Sequence, residues 1–128
     1  MTTIPDTFLR AIEAKQFDVI SKDPIWTKYK DAVFPWVCAH TDETTVQFFL
    51  NNGADPAYKK DNSLYAACSN GNLEIVKILL TYESVKSHSA DHGNRSLIAA
   101  EQNNYTEIVE LLMKIPSVAE GPSMSNLF

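Results

Sequence analysis

Cysteine, glycine and long apolar runs are all scarce in this chain of 128 residues, and each scarcity closes off a class of function. The two cysteines, Cys38 and Cys68, form no C-x-x-C pair, so no zinc-ligand spacing is present, and so few thiols suit a reducing compartment. Gly53, Gly71, Gly93 and Gly121 stand apart from one another, which excludes a glycine-rich loop cradling phosphate. No apolar stretch approaches the roughly 20 residues of a membrane span. The opening residues MTTIPD lack the basic start and apolar core of a signal peptide, giving the expectation of a cytoplasmic or nuclear location. Cations are also in deficit: Lys and Arg number 11 against 16 Asp and Glu, a net charge of −5 at pH 7. Nonspecific nucleic-acid binding needs clustered cations that replace phosphate counterions, so no nucleic-acid partner is expected. The acidic residues are scattered rather than clustered, which argues against a DNA-mimicking surface too. No Ser/His/Asp or Cys/His set shares a loop that could build a nucleophile. Neither an enzyme nor a cofactor is expected.

What the chain does have is a repeating unit. Residues Leu64 to Leu80 read LYAACSNGNLEIVKILL, two short apolar runs separated by Ser69-Asn70-Gly71-Asn72. Leu73, Val76, Ile78, Leu79 and Leu80 recur at helical spacing and predict an amphipathic helix. Leu64, Ala66, Ala67 and Cys68 predict a shorter helix of small residues that a neighbour can approach closely. Such a helix-turn-helix unit is too small to bury its own apolar face. Residues Leu97 to Met113, LIAAEQNNYTEIVELLM, repeat the pattern at a spacing of 33. Ala67 falls on Ala100, Glu74-Ile75-Val76 on Glu107-Ile108-Val109, and Leu79-Leu80 on Leu112-Met113.

That period, with two antiparallel helices per unit, resembles the ankyrin repeat family. Asn62-Ser63-Leu64-Tyr65 occupies the family's T-P-L-H position, and Asn51-Asn52-Gly53-Ala54-Asp55 matches its closing x-x-G-A-D. The implied fold is an all-α repeat, an ankyrin solenoid of about four units with short hairpin fingers and a divergent N-terminal cap. The units run from about 5 to 24, 25 to 55, 56 to 83 and 84 to 115, making 1–116 the repeat domain and 117–128 a loose tail that folds back on the last unit. In the first unit Lys15 takes the usual glycine position, and Lys22-Asp23-Pro24 ends the second helix. In the second, Phe34 takes the leucine position and Pro35 falls in the first helical turn, where a missing N–H matters little. Leu50 to Leu80 spans 30 residues, so the connection between Gly53 and Asp61 is short. Cys38 and Cys68 occupy equivalent positions on neighbouring stacked helices, too far apart for a disulfide, and are expected as buried core thiols.

The resemblance also implies a concave contact strip, carried over by position from the conserved leucine. Around Phe34 the strip takes Lys28, Tyr29, Asp31, Ala39 and His40. Around Leu64 it takes Tyr58, Lys59, Asp61, Ser69 and Asn70. Around Leu97 it takes Asp91, His92, Asn94, Gln102 and Asn103. Tyr29, Tyr58 and His92 would be exposed tips, and tyrosine is favoured at binding hot spots. His88, Asp91 and His92 form the one cluster with metal-ligand chemistry, but further convergent ligands are missing nearby, and finger residues are the simpler reading. With no second domain, catalytic set or membrane anchor in view, the expected action is occupancy of a protein partner, for instance a host or competitor protein, by a chain that is monomeric when unbound. Small ankyrin inhibitors set the first expectation, an inhibitor or antagonist. The alternative is an adaptor that uses the strip for one protein and the tail for another.

Overall fold

The computed structural model describes residues 4–124, and among these there are ten helices and no strand. Helices α1 (Asp6–Glu13) and α2 (Phe17–Lys22) form the first pair, α3 (Trp26–His40) and α4 (Glu43–Asn51) the second. The third pair is α5 (Asn62–Ser69) with α6 (Leu73–Leu79); a single turn, α7 (Glu83–Lys86), then leads to α8 (Asp91–Gln102) and α9 (Thr106–Met113). A last turn, α10 (Pro116–Ala119), packs on α9. Helix α5 lies between α3 and α8 in one row, and α6 lies between α4 and α9 in a second. No pair encloses a core alone; the core is the series of interfaces between pairs.

Helix α6 shows how sequence becomes packing. Ile75, Val76 and Leu79 are buried, while Glu74 and Lys77 face outward and pair at 3.2 Å. The turn before it is as tight as the sequence implies. Gly71 has φ +73°, and a Cβ there would lie 2.8 Å from the Tyr105 ring of the next unit. Asn72 Nδ2 donates to the Cys38 carbonyl at 2.8 Å, tying the same turn to the end of α3. Asn104 and Lys15, which stand where a turn glycine is usual, also take left-handed conformations at φ 58° and 56°. Cys38 and Cys68 are buried free thiols, and that burial pushes both thiol pKa values upward.

The second unit departs from expectation. Helix α3 begins at Trp26, so Lys28, Tyr29 and Asp31 lie on a helix rather than on a finger, and Pro35 is interior to it. The pyrrolidine removes the helical hydrogen bond that would reach the Asp31 carbonyl. Apolar packing holds the helix together regardless. Trp26, Tyr29, Val33 and Val37 recur every three or four residues, and all are buried. Phe8 of α1 sits against Trp26 and Tyr29 with ring centroids 6.3 and 6.1 Å apart, and Trp26 Nε1 donates to the Asn52 carbonyl at 3.3 Å. Phe17 stacks on Phe48 at 4.5 Å, joining α2 to α4. Aromatic surface fastens the divergent first pair to the rest.

The start of α4 is fixed by charge. Asp42 accepts hydrogen bonds from Thr45 N at 2.9 Å and Thr45 Oγ1 at 2.8 Å, and its other oxygen pairs with Lys15 of the first unit. The Lys15 ammonium, and then the Thr45 N–H, hold the Asp42 carboxyl down to about 2 from an ordinary 3.8.

Two outcomes are expected. Leu79 has no exposed surface, and Leu79→Ala should cost about 2–5 kcal/mol in urea unfolding through the cavity it leaves; an unchanged midpoint would contradict the packing. Asp42→Ala should cost about 1 kcal/mol at neutral pH as a lost cap. Because the folded-state pKa is depressed, that contribution is present above pH 3.8 and is lost as pH falls through about 2. The gap between variant and wild type should therefore narrow across that window, and a gap independent of pH would count against the pairing.

Candidate functional site

The ends of the inner helices supply a row of equivalent exposed side chains. His40 closes α3, Ser69 and Asn70 close α5, and Gln102 and Asn103 close α8. His40, Asn70, Gln102 and Asn103 are exposed, and Ala39 and Ser69 are half-buried. Asn70 Nδ2 donates to the Ala66 carbonyl and Asn103 Nδ2 to the Ala99 carbonyl, each at 2.8 Å. These amides are braced by their own helix, and both residues are exposed. The His40 ring lies 5.4 Å from Trp36, which is half-buried on the same helix. Trp36 was outside the expected set. Its pairing with His40 four residues later on a helix was the signal available for it.

Four residues expected on the strip, Tyr29, Asp31, Asp61 and Asn94, instead build the joints between units. Tyr29 is 8% exposed, while Asp61 and Asn94 are fully buried. Tyr29 belongs to the apolar stripe of α3. Asp31, Asp61 and Asn94 hold the same repeat position, and each one's side chain bonds chain that follows its own unit's inner helix. Asp31 Oδ1 accepts from Asp55 N at 2.7 Å. Asp61 receives Arg95 Nε at 2.8 Å and Arg95 Nη2 at 2.9 Å, and His92 Nδ1–H donates to Asp61 Oδ1 at 2.9 Å. Asn94 Nδ2 donates to the carbonyls of Val118 and Pro122 at 2.8 and 2.9 Å, fixing α10 and the segment after it. Met124 N donates to Glu101 Oε1 at 2.8 Å, and Val118 and Ser123 are buried. Residues 117–124, the described part of the segment expected as a tail folding back on the last unit, pack there; the apolar Leu127-Phe128 end lies outside the described residues.

Arg95 is the member of this joint that the sequence reading missed. Its guanidinium carbon sits 4.3 Å from the Tyr65 ring centroid, and Nη2 donates to Asn62 Oδ1 at 2.8 Å. The Asp61 carboxylate it binds raises its pKa above the ordinary arginine value, so the guanidinium stays charged. The remaining expected residues lie along the same edge, with His92 reaching the Asp61 joint from it. Lys28 and Lys59 are exposed, their ammoniums 5.4 and 5.7 Å from the rings of Tyr29 and Tyr58; Tyr58 is half-buried. His92 is exposed beside Asp61, and half-buried Asp91 pairs with His88 at 2.9 Å. The two histidines therefore turn to different carboxylates. No group of three metal-capable side chains converges among the described residues.

Paired helices stacked in two rows, with an aligned row of exposed polar ends, define a helical repeat solenoid. Residues 35–120 match the ankyrin repeats family in three copies, and the chain belongs to that family. Ankyrin repeats are protein–protein interaction modules, so a protein is the general class of partner. No curated protein matches the chain, and no solved structure does either. No helix among the described residues is long and apolar enough to cross a membrane.

Proposed function

We propose that the protein acts by occupancy, covering a surface of a partner protein with the row formed by His40, Ser69, Asn70, Gln102 and Asn103 and with the adjoining edge at Lys28, Tyr58, Lys59 and His92. The observation that carries this reading is the alignment of exposed, locally braced polar side chains at one position in three consecutive units. Side chains held by their own helix lose little conformational freedom on binding, which favours affinity from a modest contact area. The described residues hold no catalytic arrangement on this surface, so its effect on a partner is to exclude other contacts. An inhibitor or antagonist acts in that way. The adaptor alternative would use the C-terminal segment for a second protein, yet residues 116–124 are engaged by Asn94 and Glu101 within the chain. That favours the inhibitor.

The test is affinity purification from the native cell with wild type beside a His40→Ala, Asn70→Ala, Asn103→Ala variant of equal melting temperature. A stoichiometric protein should be captured by wild type alone, and its activity should fall as purified wild type is added. Retention of that protein by the variant would exclude the row as the contact. An unaffected activity, with a second protein released on deletion of residues 117–128, would instead establish the adaptor.

A further inference from the structure

Two neighbouring lysines adopt a backbone that glycine would adopt more easily. Lys59 and Lys60 have φ 50° and 71°, just before α5. In the next unit the same two positions are held by His92 and Gly93, at φ 55° and 66°, so the turn is shared and the glycine stands at the position of Lys60. Left-handed conformations are strained for residues that carry a Cβ, and such strain concentrates where function needs a particular side chain. Lys15 offers a contrast. It is also left-handed, but its ammonium binds Asp42, so the fold uses it. Lys59 and Lys60 are exposed and form no ion pair among the described residues.

Their surroundings are cationic although the chain as a whole is acidic. Segments 28–31, 55–61 and 91–95 contain five of the 11 Lys and Arg but only four of the 16 carboxylates. Hydrogen bonds join these segments into one edge: Asp31 to Asp55 N at 2.7 Å, then Asp61 to Arg95 and His92. Each carboxylate of the edge is engaged within the chain, Asp55 by Ala57 N at 2.9 Å and Asp91 by His88. The ammoniums of Lys28, Lys59 and Lys60 are free of carboxylates among the described residues. The edge therefore presents three lysines without a carboxylate partner beside one exposed carboxylate, Asp55, and its balance is positive.

We infer that the partner presents a carboxylate-rich segment, a run containing Asp or Glu, to the edge formed by Lys28, Lys59 and Lys60. The inference rests on the protein-binding reading above and adds the chemistry of the bound segment. Opposite charge at an interface rim speeds encounter and rejects wrong partners, and it weakens with salt. On this account Lys60 stands where glycine would be less strained because the bound segment needs its charge.

Fluorescently labelled poly-L-glutamate is the probe, followed by anisotropy at low ionic strength. Wild type should bind it, Lys59→Glu/Lys60→Glu should bind about tenfold more weakly, and the charge-matched control Lys86→Glu/Lys114→Glu should bind as wild type does. Lys60→Gly should raise the melting temperature by about 2–5 °C while weakening binding. Equal loss in the control, no binding by wild type, or no gain in melting temperature for Lys60→Gly would each overturn the inference. Stronger competition by single-stranded DNA than by poly-L-glutamate would overturn it as well. With the captured partner, loss on the His40/Asn70/Asn103 variant but retention on Lys59→Glu/Lys60→Glu overturns this inference alone. Retention by both overturns the binding-surface reading itself.

Discussion

The Asp61 carboxylate, fully buried and bound by Arg95 and His92 from the following unit, is the contact on which the placement of the fourth unit depends. Apolar stacking alone leaves neighbouring helix pairs free to slide, because contact between smooth apolar faces is weakly directional. A buried carboxylate met by two donors of one guanidinium is directional, and a shifted register would leave a charge unpaired. Asp31 and Asn94 repeat the device with softer partners, a backbone N–H and two backbone carbonyls. One repeat position thus carries the specificity of each joint, while Phe34, Phe49, Leu64, Leu79, Leu97 and Leu112 are among the fully buried side chains of the apolar core.

This division of labour explains how much the sequence could tell. The pairs α5/α6 and α8/α9 were legible because their apolar residues keep helical period and their turns carry Gly71 or Asn104. The long α3 was not read in full. Family spacing suggested a finger at 28–31, whereas Trp26, Tyr29, Val33 and Val37 keep helical spacing and lie buried on one helix. Tyr29 was assigned to the surface for that reason. Asp61 and Asn94 failed differently: a polar residue beside a turn reads as solvated, and nothing local reveals a partner 24 to 34 residues away. By contrast His40, Asn70, Gln102 and Asn103 were placed at exposed helix ends by simple counting, and they are exposed.

Function follows from the same arrangement. Polar side chains turned inward hold the units in register, and those at the helix ends are left outward and aligned. The cationic edge adds a preference that the overall charge of −5 conceals. Asp61 is buried in its joint and Asp31 and Asp91 are paired with Lys30 and His88, while Lys28, Lys59 and Lys60 stay outside without a carboxylate partner among the described residues. The polar joints and the proposed contact surface are therefore made from nearby positions of the same repeat.

The most direct test of this account is a double-mutant cycle on Asp61→Ala and Arg95→Ala, read by urea unfolding. Arg95→Ala should be the more damaging single change, because it strands a buried carboxylate, whereas Asp61→Ala leaves an arginine that is one-third exposed and can return to water. The cycle should give a coupling of about 1–3 kcal/mol. Additive effects, or the reverse order of the two single variants, would contradict the claim that this joint sets the register of the stack.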